Sequence, residues 1–349
     1  MSHFQMWLAI AGGLVLVLVV AHSTWTSRQS QPKQAEPFLS NDELEALEVL
    51  PTEVASSEPD AELEQSMHAQ VTERDIKSQL DALIDVIATI ELDSPVSGEA
   101  AIAALPPIRR VGNKLFVVEG LNADNGNWES LHTQRYYSAF QAGIQVANRQ
   151  GPLNEIEYSE FVVKAQTFAD VFLARPEFPD MQEALANARE LDQFANAHDA
   201  QLSFTLQARK AAWSPGYVQQ QAARLGFVPG VIPGRMVVPS ASPGLPPVLV
   251  LQFDARAAMA EDPNQAALRS ISLNLDVPQV AQTEQAFARM CETAQILSDA
   301  MDGLVTDDNG QALSEPAIQM IDRDLRQLYD ELTARDLTAG SLQARRLFS

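Results

Sequence analysis

The sequence predicts an α+β chain: one N-terminal membrane-spanning helix, an acidic flexible tether, then two tandem modules that mix strands and helices. Three observations predict it. An uncharged apolar run fills residues 6–21, a stretch rich in Glu, Asp, Ser, Gln and Pro follows to about residue 73, and beyond Asp75 strand-like alternation and helix-like spacing succeed one another twice in the same order.

The first element is the run MWLAIAGGLVLVLVVA. Extended through Trp25 it reaches about 20 residues, the length that spans a hydrocarbon core. Trp7 and Trp25 flank it, where indole rings favour the headgroup level. A cleaved signal peptide is the rival reading, with Ala21-His22-Ser23 as a passable cleavage site, but the basic n-region of such a peptide is missing. Residues 1–26 are therefore read as an anchor. The nearest basic residues, Arg28 and Lys33, both follow it, so the positive-inside rule puts the N-terminus outside and everything after Arg28 in the cytoplasm.

Residues 27–78 read as a flexible acidic tether, because aromatics almost vanish after Phe38 and little apolar surface is left to offset ordering. Within it, Asn41–Leu47 has the pattern of a short capped helix.

The first module, 79–199, begins with a strand at Leu83–Leu92, a short helix at Gly98–Leu105, a strand at Lys114–Glu119 and at least one strand in Tyr136–Ala147. Helices are expected at Glu155–Phe172 and Asp180–Ala197 from apolar residues at helical spacing. The second module, 200–336, repeats the order with a strand at Gln201–Gln207 and a helix at Pro215–Leu225, opened by Ser214 as N-cap and Pro215 at the first helical position. Strands follow at Arg235–Val238, Val248–Asp254 and Ser270–Val277, then a helix at Glu284–Met301, a strand at Gly303–Asp307 and a helix at Pro316–Ala334. Asp308-Asn309-Gly310 supplies a turn, and 337–349 is left as a flexible tail. Ser94-Pro95 in one module matches Ser214-Pro215 in the other, as Thr167–Asp170 matches Ile296–Asp299. This order is read as a degenerate tandem duplication, with two unrelated α+β modules as the alternative.

Charge and composition narrow the function. A net charge of −22 argues against nucleic acid, whose affinity comes from Lys and Arg neutralising phosphates. Cys291 is the only cysteine, which rules out an intramolecular disulfide and suits a reducing compartment. On the stripe side of a long helix it reads as a buried small hydrophobe. The five histidines stand singly, and neither GxGxxG nor GxxxxGK[ST] occurs, so no metal, cofactor or nucleotide is expected. Pro229–Gly234 reads as turns. The chain is expected to be an adaptor and not an enzyme, a hydrolase with carboxylates dispersed in sequence being the other class kept open.

Ser270–Val277-Pro278, the helix to Met301, Asp302-Gly303-Leu304-Val305-Thr306-Asp307-Asp308, Leu313-Ser314 and the closing helix through Leu328-Tyr329 together resemble the C-terminal domain of the ZipA family, with a weaker match back to Gln201. The resemblance implies a split β-α-β fold with helices on one face of an antiparallel sheet. It also implies attachment to the bacterial inner membrane and, on the other sheet face, a groove for the C-terminal peptide of the tubulin-like GTPase FtsZ. An adaptor of the same fold with a different protein partner is the alternative.

The alternation divides the faces. Leu202, Phe204, Leu206, Ile271, Leu273, Leu275, Val277, Leu249, Leu251 and Phe253 are assigned to the helix side. Ser203, Thr205, Gln207, Ser272, Asn274, Asp276, Val248, Val250 and Gln252 are assigned to the peptide side, with Ile232, Met236 and Val238 adding apolar area. Ser272 and Asn274 depart from the family's apolar groove. The first module, which stands where ZipA has a long linker, is open to roles as a spacer, a dimer contact or a second peptide site.

Overall fold

The structure is a computed structural model that describes residues 33–34, 78–260, 266–307 and 310–349. The expected anchor and the Asn41–Leu47 helix lie outside the described residues, and so do Asp308 and Asn309 of the expected turn. Among the described residues no helix is long and apolar enough to cross a membrane. The chain is a mixed α+β protein with antiparallel sheets, and it divides into two compact units.

The first unit holds β1 (Asp85–Ser97), α1 (Gly98–Ala104), β2 (Arg110–Val111), β3 (Lys114–Asn122), β4 (Trp128–Ser130), β5 (Tyr136–Gln145), β6 (Ala147–Asn148), β7 (Gly151–Pro152), α2 (Glu155–Asp170), β8 (Pro176–Glu177) and α3 (Met181–His198). Its main sheet runs β2-β3-β5-β1-β8, with β4 on β3. Val86, Ala88, Ile90, Phe116, Phe140 and Ile144 are buried on one face. Phe116 meets Phe161 and Phe140 meets Phe168 edge-on, so this face takes α2. A capping box between Asn154 and Glu157 starts that helix. Ser97 caps α1, whereas Ser94-Pro95 falls inside β1, so that pair is not the helix-opening counterpart of Ser214-Pro215.

The second unit contains β9 (Gln201–Ala208), α4 (Pro215–Ala223), β10 (Val228–Pro229), β11 (Arg235–Val238), β12 (Leu249–Gln252), α5 (Ala255–Ala258), β13 (Ser270–Asp276), α6 (Ala286–Met301) and β14 (Gly303–Thr306), followed by α7 (Glu315–Ala334). Its sheet runs β10-β11-β12-β13-β9-β14. The paths correspond: in each unit the first strand lies between a later long strand and a short final strand, antiparallel to both. Ser214 accepts from the Tyr217 amide and Pro215 follows it, the cap read from the sequence.

Two boundaries differ from expectation. Residues 329–349 group with the first unit, so the last turn of α7 does not close the second. Residues 337–349 are no flexible tail; they form α8 (Leu342–Leu347), with Leu337, Ala344, Leu347 and Phe348 buried. Their apolar residues are too few to show a helical stripe, but each finds a place in the first unit's core. Cys291 is half-buried, where burial and the nearby Asp322 and Glu315 carboxylates push its thiol up to about 11.

Candidate functional site

The second sheet has two distinct faces because side chains alternate along each strand. Phe204 and Leu206 on β9, Met236 and Val238 on β11, Leu249 and Leu251 on β12, and Ile271, Leu273 and Leu275 on β13 are buried. Helix α6 packs on β9, β13 and β14, and Phe204 meets Phe287 edge-on, which identifies this as the helix side.

On the opposite face the register sets two cross-strand rows. Val237, Val250, Asn274 and Ser203 lie opposite one another from β11 to β9, and Arg235, Gln252, Ser272 and Thr205 form the second row. Apart from exposed Gln252 these residues are half-buried. A concavity of about 440 Å³ opens among Ser203, Arg235, Val250, Gln252 and Asn274. A neighbouring one of about 380 Å³, bounded by Val231, Ile232, Arg235, Val237, Leu245 and three prolines, is more apolar. Arg235 borders both, and among the described residues its guanidinium makes no ion pair.

The polar residues on this face are partly satisfied by the sheet itself. The Asn274 amide donates to the Val250 carbonyl at 3.4 Å and to Ser272 Oγ at 3.2 Å, and Ser272 Oγ donates to the Gln252 carbonyl at 3.4 Å. Small neutral groups tied this way tolerate a half-wet surface and leave room for a partner's hydrogen bonds.

Of the residues expected to line the groove, the structure brings Val250, Gln252, Ser272, Asn274, Ser203 and Thr205 together, with exposed Ile232 at the apolar end. Three others are misplaced. Met236 and Val238, 3% and 5% exposed, point to the core because Met236 pairs with Leu251 and Val238 with Leu249. Val248, 1% exposed, precedes β12 and is buried where the chain enters the sheet. Val237 and Arg235 were missed. The alternation of Arg235–Val238 offers two equivalent faces, and only pairing with β12 decides between them. Among the described residues no group of three or more His, Cys, Asp or Glu is placed to hold a metal ion.

Residues 258–324 match the family model described as ZipA, C-terminal FtsZ-binding domain. The match covers the end of α5, β13, α6, β14 and the first half of α7, and thus includes Ser272 and Asn274 but not β9, β11 or β12. No curated protein matches the chain.

Proposed function

We propose that this chain is a cell-division adaptor whose second unit binds the C-terminal peptide of FtsZ on its helix-free sheet face, while residues 6–25 hold it in the bacterial inner membrane. On this reading the N-terminus is periplasmic, both units are cytoplasmic, and the protein works by binding alone. One observation carries the proposal: β13, a strand inside the matched segment 258–324, runs through the middle of the open face. The paired concavities suit an extended or helical peptide that buries a few apolar side chains against Val237, Val250 and Ile232, with Arg235 between them to meet a carboxylate.

The shared strand order of the two sheets supports reading the units as tandem split β-α-β modules. Within that reading the first unit is a spacer, since its own chain occupies the corresponding sheet face.

The test is titration of a labelled FtsZ C-terminal peptide with the full chain in detergent micelles. Saturable binding supports the reading; no binding up to about 1 mM points to the same fold with another protein partner, which the polar Ser272–Asn274 row favours. For topology, a reporter fused after Ser349 should be active only in its cytoplasmic form. A mature N-terminus near Thr24 in the periplasm would sink the anchor.

A further inference from the structure

We infer that Lys33 clips the membrane-proximal end of the chain onto the second unit, so that the unit bearing the open sheet face is held close to the anchor. The inference rests on the reading of residues 6–25 as that anchor.

The contact has a backbone part and a side-chain part. The Lys33 amide donates to the Ala212 carbonyl at 2.7 Å, and the Ser214 amide donates to the Lys33 carbonyl at 2.9 Å, which pairs Lys33 in parallel with Trp213. Trp213 pairs antiparallel with Leu268 on its other side, at 2.9 and 2.8 Å. Lys33 therefore adds a third rung to a short ladder, the mode by which extended segments are captured at an open strand edge.

Its side chain meets the last carbonyls of α6, which have no partner within the helix and carry its partial negative charge. Trp213 Nε1 donates to the Met301 carbonyl at 2.8 Å, and Lys33 Nζ donates to the same carbonyl at 2.9 Å. The Tyr217 hydroxyl donates to the Ala300 carbonyl at 3.0 Å, and the Lys33 ammonium stands 5.9 Å from the centre of the Tyr217 ring. A cation is what this site favours, and between Arg28 and Arg74 the sequence offers no other Lys or Arg. The site thus selects one residue of an otherwise acidic stretch.

The consequence is reach. From Trp25 to Lys33 is 33 − 25 = 8 residues, a span of at most about 29 Å when extended. The latch sets how far the second unit stands from the anchor, independently of the 34–77 stretch.

The full chain in phospholipid nanodiscs tests this by hydrogen exchange read at the Lys33 and Ser214 amides. Both should exchange about tenfold or more slowly than unprotected amides. Lys33→Glu should speed exchange at both amides by about tenfold, with protection of α6 and β13 unchanged, and Lys33→Arg should keep most of the protection. Energy transfer from a dye at Gln219→Cys, in a Cys291→Ser background, to a lipid dye should fall in Lys33→Glu. Unprotected exchange of the Lys33 amide in the wild type, or protection indifferent to Lys33→Glu, overturns the latch. Protection without insertion into nanodiscs overturns the anchor and leaves the latch standing.

Discussion

The two sheets share a strand path and differ in what lies on the face away from the helices. In the first unit that face carries Asp85, Glu119, Gln141 and Gln145, all buried, and the chain supplies a cover for them. Ser78 Oγ donates to Glu119 at 2.7 Å, the backbone amides of Gln79 and Leu80 also donate to it, and Gln141 adds a fourth bond at 2.8 Å. Leu80 lies over Gly143 so closely that a Cβ there would meet it at 2.3 Å. From α8, the Arg346 guanidinium grips Asp85 at 2.5 and 2.8 Å, and Gln145 donates to the Arg346 carbonyl at 2.5 Å. The second unit has Ser203, Thr205, Ser272 and Asn274 in the central rows, and its one carboxylate in the comparable strands, Asp276, is only half-buried at the end of β13, where it borders the concavity. Buried charges require partners, so the first face is closed by necessity, whereas small neutral polar groups can wait for an incoming chain. Similar strand paths thus carry a self-covered face in the first unit and an open face in the second.

The largest effect should come from Leu251→Asp, which places an unpaired charge in the fully buried side of the second sheet. The second unit should lose more than about 4 kcal/mol and unfold, as read by urea titration. If it stays folded, the two faces are assigned backwards.

Arg346→Met is the matching challenge to the first unit. It leaves Asp85, whose side chain is 0% exposed, without its cation, at a cost of about 3–5 kcal/mol. Burial already lifts the Asp85 carboxyl above its ordinary 3.8, and Arg346 draws it part of the way back. A carboxyl whose folded value is raised favours folding when protonated, so stability is lost as pH rises through that value and returns as pH falls toward 3.8. The deficit of Arg346→Met should be largest near neutral pH and shrink on acidification; a deficit that grows instead would remove Asp85 from the account.

Val250→Asp sharpens the open side of the comparison. Peptide binding should weaken by about 2–4 kcal/mol while the unfolding midpoint hardly moves. Val117→Asp, half-buried on the covered face of the first sheet, should leave binding untouched. Equal losses from both would mean that the first unit also binds the peptide. Smallest is Glu119→Gln, which turns part of a four-donor acceptor into a donor and should cost the first unit about 1–3 kcal/mol by thermal melt, with binding unaffected.

Much of this was legible in local sequence. The strand at Gln201, the Ser214 cap, the helices ending near Asp170, His198 and Met301, and the outward positions of Ser203, Thr205, Val250, Ser272 and Asn274 all follow from periodicity and capping, which act over a few residues. The ZipA-like wording of the last strand–helix–strand stretch is likewise carried by the chain itself, and the family match falls on it.

Tertiary structure decided the rest, because those choices depend on partners distant in sequence. A four-residue strand such as Arg235–Val238 has two plausible faces until it pairs with Leu249–Gln252, and the pairing sent Met236 and Val238 inward and Val237 and Arg235 outward. Residues 337–349 resemble a loose end until Arg346 reaches Asp85 across 261 residues of sequence. Whether a polar row is a covered core or an open surface is likewise set by what the remainder of the chain lays over it, and alternation within a strand carries no information about that cover.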